Sequence, residues 1–277
     1  MINSPENLQR LKNTTLFVLD MDGTVYLGEQ PFPDAVDLVN AINKSASKRA
    51  VFFTNNPSKD KRQYEDKLSR LGFDVYPGML HSSADSTARW LSRQRTGKSV
   101  YVLGTPSLSR TLEDAGVTVT SGEDGGSSRP DIVLSSFDLT LTWDRLEQAC
   151  RYIREGAEWL CTHPDVTCPS ERGPVPDAGS INALIHAVTG CPLPRVFGKP
   201  DIVTSQLLSD AYGADKGSMA VFGDRLYTDV ALGKRHGILA GLVLTGETTL
   251  EQAQNAPAGD SPDLVFERLS EIGEYVL

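Results

Sequence analysis

The chain has 277 residues, room for about two domains of roughly 150 residues each or for one large domain carrying an insertion. Hydrophobic residues make up 39% and charged residues 23%, with 24 Gly and 16 Pro, a globular composition that excludes a disordered or low-complexity chain. Lys and Arg number 27 against 36 Asp and Glu, and the net charge of −9 argues against a broad nucleic-acid or anionic-membrane surface, so an anionic ligand needs a local site.

The opening residues show no apolar stretch behind a basic start and no small-residue cleavage pattern, so a secretory signal is not expected. No run approaches the roughly 18 apolar residues of a transmembrane helix. The cysteines, Cys150, Cys161, Cys168 and Cys191, show neither CxxC nor zinc spacing and read as reduced thiols of a cytoplasmic protein.

In chain order, apolar β-rich runs alternate with helical patterns. Strands are predicted at 16–20, 50–54, 99–103, 131–136, 219–224 and 239–246. Between them, 34–43 places Val36, Val39 and Ile42 on one helical stripe, and 58–71 starts at Ser58, repeats Tyr64, Leu68 and Leu71, and stops at Gly72. Pro200 and Asp201 open a further helix with Val203, Leu207, Leu208 and Ala211 facing inward. Continuous apolar strands separated by helices predict a parallel sheet covered on both faces. The stretch 120–130 reads as a surface loop. The proline-rich stretch 161–180 reads as a long irregular connection of the kind that often carries function.

The first strand ends in Asp20, Met21, Asp22, Gly23 and Thr24. Ligands of open α/β sheets bind beyond the carboxyl ends of the strands, which is where both carboxylates fall. One carboxylate can serve as nucleophile while the other handles protons, because environment separates their pKa values. A second strand ends in Thr54, Asn55 and Asn56, a hydroxyl and amides suited to phosphate oxygens. Lys199 follows a glycine and precedes the helix begun by Pro200; on its own a lysine there reads as a solvated side chain. The strand at 219–224 repeats the logic of the first, with Asp224 at its end and Asp229 one turn later. Clustered carboxylates without Cys or His favour a hard cation retaining waters, which points to Mg²⁺.

DMDGT at 20–24, the turn at 54–56, Lys199 and GDxxxxD at 223–229 resemble, in that order, the four motifs of the haloacid dehalogenase (HAD) superfamily of phosphohydrolases. FFTNNPS, PDAGSI, FGKP and GDRLYTD resemble its NagD-like or p-nitrophenyl-phosphatase subgroup. The resemblance implies an α/β fold: a Rossmann-like parallel-sheet core formed by 1–80 and 196–277, with an α/β cap of the C2 type inserted at 81–195. It further implies that Asp20 is the phosphoryl-accepting nucleophile and that Asp22 is the acid and then the base. Gly23, Thr54, Asn55, Asn56 and Lys199 would bind phosphate. Asp20, Asp224 and the backbone carbonyl of Asp22 would hold Mg²⁺, and Asp229 would stand behind them, orienting Lys199. His163 stands where the subgroup more often has Asn.

The activity so implied is Mg²⁺-dependent hydrolysis of a small phosphomonoester, such as a sugar phosphate, through phospho-Asp20. A small phosphorylated metabolite is then the partner, with no nucleic acid and no membrane, and a homodimer through the cap suits the subgroup. A phosphotransferase or phosphomutase, or a regulator that binds phosphometabolites without turnover, would carry the same motifs. No GxGxxG follows the first strand, which counts against a dinucleotide enzyme. Ionised Asp20, Asp22, Asp224 and Asp229 exceed the charge of Mg²⁺ and Lys199 by one before a dianionic substrate arrives, so Asp22 is expected to hold a proton.

Overall fold

The computed structural model describes residues 2–121, 129–169 and 173–277. Most of the expected loop at 120–130, and Ser170 and Glu171 of the irregular stretch, lie outside them. Contacts divide the chain into two units. The first comprises Met1–Thr54, Arg62–His81 and Lys199–Leu277, and the second Asn55–Lys61 and Ser82–Gly198.

The first unit holds a six-stranded sheet in the order Leu264–Phe266, Leu239–Val243, Met219–Gly223, Leu16–Leu19, Arg49–Thr54, Leu80–Ser82. Pairings are parallel from Leu264–Phe266 across to Arg49–Thr54. Alternation along Leu16–Leu19 feeds both faces. Phe17 and Leu19 pack with Val39, Ile42, Phe52 and Leu68 on one side, while Leu16 and Val18 pack with Val51, Phe53, Leu207, Leu208 and Leu232 on the other. The predicted parallel sheet with two covered faces is therefore what forms.

Register decides what the strand ends can do. Leu19 lies level with Phe222 on one side and Phe52 on the other. Asp20 consequently leaves its strand beside Gly223, and its N–H donates to the Phe222 carbonyl at 2.8 Å. The chain departs from the Leu16–Leu19 strand to a neighbour on one side and returns on the other, which opens the crevice in which such sheets bind ligands.

Some predicted boundaries shift for local reasons. The helix expected from Ser58 runs Lys61–Arg70, because the Asn56 side chain accepts the Ser58 N–H at 2.9 Å and holds the preceding residues in a turn. The helix after Pro200 runs Ile202–Tyr212 with Asp201 as N-cap, its carboxylate accepting the Val203 N–H at 2.9 Å. Val203, Leu207 and Leu208 are buried as expected, but Ala211 is exposed, since the stripe rotates outward in the last turn. The strand expected to reach residue 246 ends at Val243.

The second unit has its own parallel sheet, ordered Arg195–Val196, Glu158–Cys161, Ile132–Ser135, Ser99–Leu103, Thr118–Thr120. Tyr101, Leu103, Val133, Tyr152, Ile153, Trp159 and Ile185 form a core there. The four cysteines are unbridged. Among the described residues no helix is long and apolar enough to cross a membrane.

Asp131 sets the register of the central strand pair of this unit. Its carboxylate accepts from Lys98 Nζ at 2.8 Å and the Ser99 N–H at 2.9 Å, and its own N–H donates to Ser99 Oγ at 3.1 Å. The Lys98 and Ser99 bonds hold the carboxyl down at about 2. A depressed carboxylate adds stability above its unfolded pKa and loses it as pH falls toward its folded one. Asp131→Ala should therefore lower stability at pH 7, by about 1 kcal/mol or less because the pair is half exposed. In denaturant titrations the deficit should shrink as pH drops below about 4.

Candidate active site

Of the residues singled out at the strand ends, Asp20, Asp22, Thr54, Lys199, Asp224 and Asp229 lie in the first unit, where Lys199 draws Asp20 and Asp229 together. Lys199 Nζ donates to Asp20 Oδ1 at 2.5 Å, Asp229 Oδ1 at 2.6 Å and the Phe53 carbonyl at 3.1 Å. It is only 2% exposed, so the sequence default of a solvated lysine does not hold. Asp229, brought in by a single wide turn over Leu226–Val230, also accepts from Thr228 Oγ1 through Oδ2 at 3.0 Å. Both of its oxygens are thus occupied by neighbours, which suits a residue that holds Lys199.

Asp224 is placed differently. Its Oδ2 accepts the Glu247 N–H at 2.7 Å, while its buried Oδ1 has no hydrogen-bond partner. Oxygens of Asp20, Asp224 and Asp229 lie within 4.8 Å of one another. The backbone crowds Asp224 from two sides. A Cβ on Gly23, whose φ is +87°, would stand 2.6 Å from Asp224 Oδ2, and one on Gly246 would overlap the same oxygen. The Thr245–Glu247 turn was not legible as part of the site. Thr245 Oγ1 donates to the Gly23 carbonyl at 2.5 Å and so ties it to the Asp22 turn; its only signal is a Thr-Gly pair after an apolar strand.

Asp22 sits in a closed loop. The Met21 carbonyl accepts the N–H groups of Thr24 and Val25 at 3.2 and 2.9 Å, and the Gly23 N–H donates to the Tyr26 carbonyl at 2.8 Å. Thr54 ends its strand buried. Asn55 and Asn56 follow it but make their described contacts within the second unit: the Asn55 carbonyl accepts from Ser83 Oγ at 2.5 Å, and the Asn56 amide lies 3.7 Å from Cys168 Sγ. In that unit His163 Nε2 bonds Asp177 Oδ1 at 2.8 Å and its Nδ1 bonds Thr162 Oγ1 at 2.8 Å. Asp177 also caps the helix Ala178–Thr189.

The cluster around Lys199 is short of positive charge. Burial pushes Asp20 up to about 8, with Lys199 opposing and Asp229 and Asp224 reinforcing. Burial and then Asp229 push Asp224 up to about 6. Burial acts to lower the Lys199 ammonium, yet Asp20 and Asp229 hold it above its ordinary value. Two buried carboxylates and the half-buried Asp20 around one ammonium, with an orphaned oxygen on Asp224 pinned by backbone, fit a hard divalent cation that accepts carboxylate and carbonyl oxygens.

Comparison with known proteins agrees with this geometry. The haloacid dehalogenase-like hydrolase family matches residues 17–118, and the HAD-hydrolase-like family matches residues 196–272. An acid sugar phosphatase of Staphylococcus aureus is 32% identical over 245 residues, covering 88% of this chain and 92% of that protein. The crystal structure of a 4-nitrophenylphosphatase from Thermotoga maritima superposes with a TM-score of 0.89 at 42% identity, over 97% of this chain and 99% of that one. A glycerol phosphate phosphatase of Mycobacterium tuberculosis, solved in complex with magnesium, has a TM-score of 0.86 at 31% identity, over 95% and 78% of the two chains. The chain belongs to the haloacid dehalogenase-like hydrolases. Within them it is a phosphatase of the NagD and p-nitrophenyl-phosphatase subgroup, an enzyme class that uses a divalent metal ion.

A raised carboxyl pKa destabilises the folded chain as pH rises through the interval between its unfolded and folded values, because the native state then binds more protons than the unfolded one. With EDTA present, the melting temperature should therefore decline from about pH 5 to about pH 8 as Asp224 and Asp20 are forced to ionise. A divalent cation, binding the ionised cluster, should restore more stability at pH 8 than at pH 5. Calorimetry at both pH values, with and without metal, measures the crossing.

Proposed function

We propose that the protein hydrolyses small phosphomonoesters of the sugar- or polyol-phosphate kind, with Mg²⁺, through a phosphoryl group carried on Asp20. The observation that carries this reading is the Asp20–Lys199–Asp229 cluster. It leaves Asp20 with one oxygen held by the ammonium and its carboxylate at the mouth of the sheet crevice. The acid sugar phosphatase and glycerol phosphate phosphatase among the similar proteins support the substrate class, and the magnesium complex of the latter supports the metal. The cap expected at 81–195 corresponds to most of the second unit, which runs Ser82–Gly198 together with Asn55–Lys61.

Lys199, locked between two carboxylates, keeps Asp20 oriented and its electron pair on the outward oxygen. Asp20 attacks phosphorus in line with the ester oxygen, and Asp22, protonated beforehand, gives its proton to the departing alcohol. Asp22 then takes a proton from water as that water attacks phosphorus, which releases phosphate and regenerates free Asp20. The Thr54 hydroxyl donates to the phosphoryl oxygens; the Gly23 N–H, already given to the Tyr26 carbonyl, shapes the loop instead. Asp20, Asp224 and the Asp22 carbonyl would hold the Mg²⁺, which when bound supplies positive charge against the phosphoryl oxygens. Positioning and charge neutralisation carry most of the rate in such a reaction.

A phosphate-release screen over sugar, polyol and aryl phosphates should find turnover that requires Mg²⁺. Asp20→Asn should lower it by a factor on the order of 10³ or more. Wild-type activity persisting in Asp20→Asn would refute the phospho-aspartate route. Gly246→Ala, which drives a methyl group into Asp224, should weaken Mg²⁺ activation far more than it lowers melting temperature.

A further inference from the structure

Lys67 is an unusual residue to find inside. It lies on the helix Lys61–Arg70, and only 6% of it is exposed. A buried ammonium is costly unless something nearby stabilises its charge. Its Nζ stands 3.9 Å from the centroid of the Tyr26 ring and 3.6 Å from Glu29 Oε1. An ammonium at that distance over an aromatic face is attracted to the ring, more strongly when water is excluded. Tyr26 is itself 2% exposed, and burial raises its phenol, with Tyr64, Asp22, Asp20 and Glu29 adding to the rise.

Tyr26 also closes the loop that carries Asp22. Its carbonyl accepts the Gly23 N–H, it bridges Asp22 along the backbone, and it begins the short hairpin in which Tyr26–Leu27 pairs with Gln30–Pro31. Glu29 lies at the tip of that hairpin, so Lys67 grips the hairpin at two points, the ring at its base and the carboxylate at its turn.

We propose that Lys67 is a positioning residue that acts through Tyr26: cation–ring attraction and the Glu29 ion pair clamp the Met21–Tyr26 loop and hold Asp22 where it can protonate the leaving oxygen. This deepens the proposed function and rests on it. The nucleophile is fixed separately, by Lys199, so loosening the clamp should disturb proton donation while leaving attack by Asp20 largely intact.

Phenyl phosphate and p-nitrophenyl phosphate test this directly, because they share a shape and differ chiefly in how much the leaving oxygen needs a proton. In Lys67→Met, which keeps the apolar stem, kcat/KM, which reports the steps through release of the alcohol and not the water step shared by both esters, should fall about tenfold for phenyl phosphate. For p-nitrophenyl phosphate it should fall by less than about threefold. Lys67→Arg, which retains a cation over the ring, should recover most of the loss. Tyr26→Leu should reproduce the same bias, and the double variant should be no worse than either single one. If Lys67→Met fails to fold by circular dichroism, Glu29→Gln, at an exposed position, provides the same comparison. Equal losses on the two esters, or none, in the folded variants would overturn the proposal, as would additive losses in the double variant. Asp20→Asn and Asp22→Asn separate the two levels. If Asp20→Asn is inactive and Asp22→Asn selectively loses phenyl phosphate while the Lys67 variants show no bias, the clamp alone fails. If those two controls fail, the clamp falls with the mechanism beneath it.

Discussion

Lys199 donates to Asp20 at 2.5 Å and to Asp229 at 2.6 Å in a place that water barely reaches, and much of the first unit is arranged to keep it there. An ammonium between two carboxylates in a low-dielectric interior is stable only if both partners stay within reach, since losing either leaves an uncompensated buried charge. The carboxylates come from different strand ends, and Lys199 follows a third segment at the start of a helix. Parallel pairing of Leu16–Leu19 with Met219–Gly223 is what brings Asp20 and the Asp224–Asp229 segment to one edge. A one-residue slip would turn Phe17 and Leu19 to the wrong face and pull the cluster apart, so the hydrophobic alternation of a buried strand also fixes the geometry of the site.

That cluster still lacks positive charge. Three carboxylates share one ammonium, and Asp224 Oδ1 has no hydrogen-bond partner. The same imbalance that makes the site unfavourable to bury suits it to a divalent cation, because a monovalent ion or a second lysine would leave part of the repulsion in place. The crowding of Asp224 by Gly23 and Gly246 fixes where its oxygens point, which is the usual means by which a protein builds cation geometry from a carboxylate that would otherwise rotate.

Much of this was legible in the sequence, because each strand that carries chemistry is a run of four or five apolar residues that stops at a polar one. LFVL followed by Asp20 and MAVFG followed by Asp224 reveal both the strand and the position of the acid at its carboxyl end. Lys199 could be placed by its motif but not by its environment, since a lysine after glycine reads as solvated and nothing local announces that two carboxylates distant in sequence enclose it. The Thr245–Glu247 turn was hidden for a similar reason: its contribution is a backbone N–H and the absence of a side chain, neither of which has a compositional signature. Ala211 was misplaced because helical periodicity says which residues share a stripe and not how far along the helix the neighbouring surface extends.

Lys67 lies at the limit of that legibility. In the sequence it is one charged residue among several on a strongly polar helix, KRQYEDKLSR, where a solvated face is the natural reading. What distinguishes it is that Tyr64 and Leu68, its neighbours on the helix, are core residues, so position 67 is carried partly inward with them. A charged side chain at such a position is destabilising unless the interior offers it a partner, and the interior offers the face of Tyr26, the residue that closes the Asp22 loop. On the mechanism proposed above, the site is held by two buried lysines that divide the work. Lys199 fixes the carboxylate that attacks, through direct hydrogen bonds that tolerate little movement. Lys67 reaches the carboxylate that donates the proton only through an aromatic ring, a softer contact, which suits a group that must approach the leaving oxygen in one step and water in the next.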